Sequence, residues 1–411
     1  MPNPLILYRI EERPMRRPAT ALLLATALAC LTGPPASAED GDTAEVVLPG
    51  VPEQLSAQQK CTSFKGRATS KAPWTRNALA LDQVWALSRG RGVTVAVVGT
   101  GVSDAPAVLA GRVEALGGAD EDCVGRGTFQ AGLIAGAVRP GQGFAGVAPQ
   151  ARILAVRGTG TRGEPDPARL AAGVREAAEA GARVITVTAP MDGADKAVRD
   201  ALAAAARADA LVVVPAAADS EPAGASGAAT RPAPDPPAGA LAVLDTGPQG
   251  TRPDSAPGFT RADLTAPGDS LVGPGPVGDG KWTGSGASMA AAVTAGAAAL
   301  VRAYHPELTA DQVRSRLLRT AYPGDVPALD PYGAVAGVTA SAAPAAAARP
   351  DPVRLPAAPD THRARAMAVL VAGGAVVTVL LVAFLAVVLP RGRSRKWRPG
   401  RLGAEERAAV R

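Results

Sequence analysis

The sequence predicts an α/β fold of three layers with a mostly parallel central sheet, preceded by a secretion signal and followed by one transmembrane helix. Three observations predict it. Short, uninterrupted β-rich runs alternate with Ala-rich stretches at helical spacing, which is the pattern of strands buried on both faces by helices. The N-terminal residues end in a small-residue cleavage site, and a long charge-free stretch lies near the C-terminus.

Residues 1–38 read as a signal peptide. Arg16 and Arg17 supply a positive start, Ala19 to Leu31 an apolar stretch, and Ala36-Ser37-Ala38 the cleavage site. Arg9, Glu11, Glu12 and Arg13 fit a signal poorly, which leaves Met1 and Met15 both open as the start. Cys30 follows Ala27-Leu28-Ala29, a weak approach to a lipidated cysteine. Residues 39–72 lack sustained periodicity and read as an extension lying on the domain of residues 73–340.

Within that domain the β-rich runs are Val93 to Val98, Ile153 to Val156, Val184 to Val187 and Leu211 to Val214. The helical stretches between them are Thr128 to Ala137, Pro167 to Ala180 and Ala194 to Ala208. Two more helices follow, Ser288 to Tyr304 and Thr309 to Arg319, the second opened by a capping box of Thr309 and Gln312. Residues 218–238, rich in Pro, Gly, Ala and Ser, predict a long surface loop. In an open parallel sheet, sites form beyond the carboxyl ends of the strands, which points to the residues after Val98, Val187 and Val214.

Residues 341–365 are an Ala/Pro-rich linker. Ala366 to Leu389 is 24 residues without a charge, enough to span a bilayer at roughly 20 residues. Six Lys/Arg follow it within 15 residues and three precede it over the same distance, so the positive-inside rule puts the basic tail, 390–411, in the cytoplasm. The signal puts the main domain outside, and the two readings agree.

The formal charge of +6 sits at the ends of the chain. The residues between the signal and the span hold 31 basic and 33 acidic side chains, so nothing argues for a nucleic-acid partner. No His/Cys/Asp/Glu cluster has metal-ligand spacing, and no cofactor motif is present. With aromatics at 3%, the core must be built from Ala, Val and Leu. Once the signal is removed, Cys61 and Cys123 remain in an oxidising compartment, and a disulfide between them is expected. Closing that loop stabilises by about 4 kcal/mol on the chain-entropy model. Two separate thiols are the alternative.

Five motifs then appear in order. Gly92-Val-Thr-Val-Ala-Val-Val-Gly99-Thr-Gly-Val102, Gly125-Arg126-Gly-Thr-Phe-Gln-Ala-Gly132 and Gly286-Ala287-Ser288-Met289-Ala290 resemble the three subtilisin-family (subtilase, peptidase S8) motifs around the catalytic Asp, His and Ser. Gly143-Phe-Ala-Gly-Val-Ala-Pro149 and Ala262-Asp-Leu-Thr-Ala-Pro-Gly268 support them. Pro73-Trp74, Leu81, Val84-Trp85 and Ser88-Arg-Gly90 narrow the resemblance to mycosins, the subtilases associated with type VII secretion in actinobacteria. The resemblance also matches the placement of Cys61 and Cys123, and implies a subtilisin-like fold and a place beside a type VII secretion membrane complex.

The chain departs from the family where the chemistry lies. In the family an Asp orients a His, which takes the proton of the attacking Ser. Ser288 is retained, but Gly99 stands in place of the Asp and Arg126 in place of the His. A guanidinium does not release its proton in this pH range and cannot serve as a base. Asp219, in Val212-Val-Val-Pro-Ala-Ala-Ala-Asp219, stands where the family's oxyanion Asn belongs, setting a negative charge against a developing oxyanion. Ala287 and Ala292 replace a Thr and a Pro beside the nucleophile.

No substitute base stands out. His305 and His362, the two histidines of the chain, lie at a helix turn and beside the span. Asp104 lies near the first damaged motif but does not follow directly from the strand end, and Asp120 and Asp122 read as loop carboxylates placed to pair with Arg126. Lys281 is a formal candidate for a Ser–Lys dyad. Ser288 itself reads as the N-cap of a Met289–Tyr304 helix. The expectation is an inactive pseudoprotease acting as a scaffold or binding element. An active endopeptidase with an unconventional base and a peptide-binding module that keeps the cleft are the alternatives.

Overall fold

The computed structural model describes residues 47–63, 65–220, 233–338 and 362–394. The signal peptide, most of the 218–238 loop, most of the linker and most of the basic tail lie outside the described residues.

After the extension come two short helices, α1 (Trp74–Ala78) and α2 (Leu81–Leu87). The order is then β1 (Thr94–Gly99), β2 (Val113–Ala115), α3 (Arg126–Ala135), β3 (Arg152–Arg157), α4 (Pro167–Glu179), β4 (Val184–Val187), α5 (Lys196–Arg207) and β5 (Leu211–Pro215). Strands β6 (Leu241–Thr246) and β7 (Leu264–Pro267) complete a seven-stranded sheet of order β2-β3-β1-β4-β5-β6-β7, parallel throughout. A separate antiparallel hairpin, β8 (Leu271–Pro274) with β9 (Lys281–Gly284), leads into α6 (Ala287–Tyr304), α7 (Ala310–Thr320) and α8 (Pro331–Ala336).

Alternation along each strand divides the core. Val95, Val97, Leu211 and Val213 face one layer with Phe129, Ile134, Met289 and Leu300. Ala96, Val98, Val212 and Val214 face the other with Leu170, Val174, Val198 and Leu202. Helices α3 and α6 therefore cover one face, α4 and α5 the other. Helix α6 is buried from Ala287 to Arg302, and its run of Ala side chains supplies the small residues that an interior helix needs to approach the sheet.

Helix starts follow their capping chemistry. Asp166 accepts the Arg169 amide ahead of Pro167 in α4, and Asp195 caps α5. The Thr309–Gln312 capping box is present at α7. At α6 the expectation fails: the N-cap is Gly286, and Ser288 lies inside the first turn.

The described residues ahead of α1, 47–63 and 65–72, lie against the domain. Thr283 in β9 exchanges backbone hydrogen bonds with Pro49 and Val51, and Arg67 pairs with Lys281. Cys61 and Cys123 form a disulfide. Beyond Ser341 the chain forms a separate unit, described by α9 (His362–Ser394). Its Arg365–Arg391 segment is long and apolar enough to cross a membrane and exposes its apolar side chains.

Candidate active site

Gly99 ends β1, Asp219 follows β5, Arg126 opens α3 and Ser288 lies in the first turn of α6. All four are at the carboxyl edge of the sheet, as the switch-point rule requires. The structure brings three of them together.

The Ser288 hydroxyl donates to Asp219 Oδ2 at 2.5 Å and accepts from Arg126 Nη2 at 3.1 Å and Gln130 Nε2 at 3.0 Å. One donor and two acceptor sites are all that a hydroxyl has, and all are used. Asp219 Oδ1 also accepts the Ser288 backbone N–H at 2.7 Å, and its Oδ2 pairs with Arg126 Nη2. Ser288 and Gln130 are fully buried, and the Arg126 and Asp219 side chains are each 5% exposed. The carboxylate thus lies on the nucleophile rather than waiting opposite an oxyanion. Gly286 makes this fit possible: a Cβ there would lie 2.2 Å from Asp219 Oδ1, and its φ of +125° disfavours L side chains.

The expected pairing of Asp120 or Asp122 with Arg126 is not what forms. Asp120 is exposed, as is Asp104. Asp122 is buried and accepts four hydrogen bonds, from Thr100 Oγ1, the Gly125 amide, and the amide and Oγ1 of Thr128. Its oxygens are spent on the start of α3, so the Arg126 side chain turns to Asp219. Burial pushes the Asp122 carboxyl above its ordinary value against the pull of these donors. Burial likewise pulls the Arg126 guanidinium down, opposed by the carboxylates of Glu53 and Asp122. In contact with Asp219 it remains a cation.

His305 is not part of the site. His305 Nε2 bonds the Val335 carbonyl at 2.9 Å, and His362 opens α9 in the other unit. Lys281 is not part of a dyad: its Nζ bonds Gln142 Oε1 and the Asp279 carbonyl and lies over the Phe144 ring. Among the described residues no group of His, Cys, Asp and Glu is placed to hold a metal.

The space for a triad Asp has also closed. A Cβ on Gly99 would lie 2.2 Å from Thr188 Cγ2 and 3.3 Å from Thr188 Cβ. Thr188 and Gln130 were not singled out in the sequence. Gln130 was findable, because it lies four residues after Arg126 and so on the same helix face. Thr188 carried only the weaker signal of following β4.

A family model described as the subtilase family matches residues 90–349, and the chain belongs to that family. It is 32% identical to mycosin-4 of Mycobacterium tuberculosis over 93% of this chain and 97% of that protein. Among solved structures, MycP1 from the ESX-1 type VII secretion system matches with a TM-score of 0.58 and 25% identity, covering 72% of this chain and 97% of that one. A chain in the periplasmic assembly of the ESX-5 inner membrane complex matches with a TM-score of 0.59 and 26% identity, covering 74% and 94%.

Proposed function

We propose that the chain is a mycosin-like pseudoprotease: a membrane-anchored, extracytoplasmic component of a type VII secretion membrane complex that does not cleave peptide bonds. One observation carries the loss of catalysis. The Ser288 hydroxyl is buried, its proton is directed to Asp219 and both its lone pairs are bonded to Arg126 and Gln130. Activating it needs a free base and access for a carbonyl carbon. Among the described residues Asp219 is the one carboxylate bonded to that hydroxyl, and it is held in a salt bridge to Arg126 rather than free to take the proton.

The place in a secretion complex follows from the similarity to MycP1 of ESX-1 and to the ESX-5 periplasmic assembly. In this reading residues 1–38 are removed on export and residues 39–340 lie outside the membrane. Residues 341–365 link to a span at 366–389, and 390–411 remain in the cytoplasm. A disulfide-held, tethered domain whose reactive centre is replaced by a buried ion pair is suited to a structural role. The test is reaction of the purified ectodomain with a fluorophosphonate serine-hydrolase probe from pH 4 to 9, beside Ser288→Ala. No labelling is expected, and labelling that disappears in Ser288→Ala would overturn the reading.

A further inference from the structure

The candidate site lies at the carboxyl edge of the sheet, and the opposite, amino edge is basic. Strands β2, β3, β1 and β4 are neighbours, and an arginine leads into each of them. Arg112 precedes β2, Arg152 begins β3, Arg91 lies three residues before β1 and Arg183 precedes β4. Backbone bonds hold them in one row. The Ile153 N–H donates to the Arg112 carbonyl at 2.9 Å, the Arg152 N–H to the Val93 carbonyl at 2.9 Å and the Arg183 N–H to the Thr94 carbonyl at 3.0 Å. Neighbouring strands are about 4.8 Å apart, so four of them carry the row across about 15 Å. Arg89 and Arg139 add to it. The Arg89 carbonyl accepts the Gln150 N–H, and burial together with repulsion from Arg139 lowers the Arg112 guanidinium.

Arg89, Arg91, Arg139 and Arg152 are exposed, and Arg112 and Arg183 are half-buried. Among the described residues only Arg183 of these six pairs with a carboxylate, that of Asp209 at 3.0 Å. The carboxylates of this edge, Asp209, Glu307 and Asp311, lie beyond the row, where α6 turns into α7 against the start of β5. The residues between the signal and the span hold 31 basic and 33 acidic side chains, so the row is a local excess of cations.

The domain also ends at this edge. From Ser288 beside the site, α6 runs to Tyr304, a length of about 27 Å over the whole helix. Near its end Arg302 bonds Asp209, just ahead of β5. His305 Nε2 then meets the carbonyl of Val335 in α8 at 2.9 Å, three residues before Val338. Tyr304 and Tyr332, 45% and 42% exposed, lie beside this exit.

We infer that the amino edge of the sheet is a docking surface for anionic phospholipid headgroups. Guanidinium groups bind phosphate oxygens in pairs, and an open row of them suits a flat array of phosphates. Tyrosine is favoured at headgroup depth. The chain beyond Val338 leads to the candidate span, so a bilayer surface is the anionic partner always within reach. Docked by this edge, the domain presents Ser288 and Asp219 on the side away from lipid. The inference rests on the domain being tethered outside a membrane, and it does not depend on whether Ser288 reacts.

Residues 47–338 hold the whole sheet, both core layers and the disulfide, and belong to one unit without the apolar helix, so the test uses the ectodomain of residues 39–340. Its sedimentation is measured with vesicles of phosphatidylcholine, alone or with a third of the lipid as phosphatidylglycerol. Binding to the anionic vesicles is expected to be at least about tenfold the stronger, and to be lost at about 1 M NaCl, where charges are screened beyond about 3 Å. Each arginine contributes roughly fivefold, so Arg89→Gln/Arg91→Gln/Arg152→Gln should lower binding on the order of 100-fold. Lys60→Gln/Arg169→Gln/Lys196→Gln makes the same change in net charge away from this edge, and should stay within about threefold of the native chain. Equal binding to both vesicles, binding that survives the salt, or equal losses in the two variants would overturn the proposal. No binding to either vesicle would also overturn it and leave the row to an acidic protein. The vesicle and salt comparisons use the native chain, so they decide the matter even where a variant misfolds. Resistance of the full-length chain to carbonate extraction from membranes reports on the tether separately.

Discussion

Replacing Arg126 with Met removes the cation that faces Asp219 while keeping most of the side-chain volume. Asp219 is then a carboxylate with 5% exposure and no counter-charge in contact, left with the two donors of Ser288. Breaking a buried pair from one side costs about 3–5 kcal/mol, and the retained donors favour the lower end. For a domain of this size each kcal/mol lowers Tm by roughly 2 °C, so a fall of about 6 °C is expected in a thermal melt followed by far-UV circular dichroism. Asp219→Asn removes the orphan charge, and its amide group can donate to the Ser288 hydroxyl while its oxygen accepts the Ser288 amide. The Arg126→Met/Asp219→Asn double variant should therefore recover most of the loss. A fall under about 2 °C for Arg126→Met, or a double variant no better than the single one, would show that the pair does not hold the site together.

Three further outcomes are expected of the same molecule. Gly99→Asp with Arg126→His should melt below the native chain and remain unlabelled by a fluorophosphonate, because the Asp Cβ runs into Thr188; adding Thr188→Ala and Asp219→Asn is what should allow labelling. Replacing Cys61 and Cys123 together with Ser should cost about 4 kcal/mol in urea unfolding, since the bond closes a loop of 62 residues. Burial opposes ionisation of Asp209, but Arg302, the Ala310 amide and Arg183 outweigh it and hold its carboxyl below the ordinary range. A lowered folded-state value gives stability that is present above about pH 4 and is lost as pH falls through the folded value. The native chain should therefore melt above Asp209→Asn at pH 7, and the two should converge below pH 4; a gap unchanged between pH 7 and pH 3 would refute this assignment.

Much of the fold was legible because the buried strands are short apolar runs bounded by turns. Val184 to Val187 matches β4 residue for residue, and the other three runs end within one residue of β1, β3 and β5. The strands β6 and β7 escaped notice, since Leu241–Thr246 and Leu264–Pro267 lie among Ala, Pro and Gly with little β-branched content. The hairpin β8–β9 carries Gly and Pro in four-residue strands, which local propensity reads as loop.

At the site the sequence identified the altered positions but not how they meet. Residues 126, 219 and 288 lie 69, 93 and 162 positions apart along the chain in their hydrogen-bonded pairs, so no local rule joins them. Proximity in sequence favoured Asp122 for Arg126, and capping chemistry had already claimed both oxygens of Asp122. Ser288 misled in a similar way: a serine at a helix start reads as an N-cap, yet the glycine two residues earlier takes that position because Asp219 needs the space.

The most direct measurement is fluorophosphonate labelling of the full-length protein in membranes, quantified beside Ser288→Ala. The account predicts equal, background labelling of both at every pH from 4 to 9. Labelling of the native chain alone would mean that a base within reach of Ser288 activates it, and the pseudoprotease reading would be wrong.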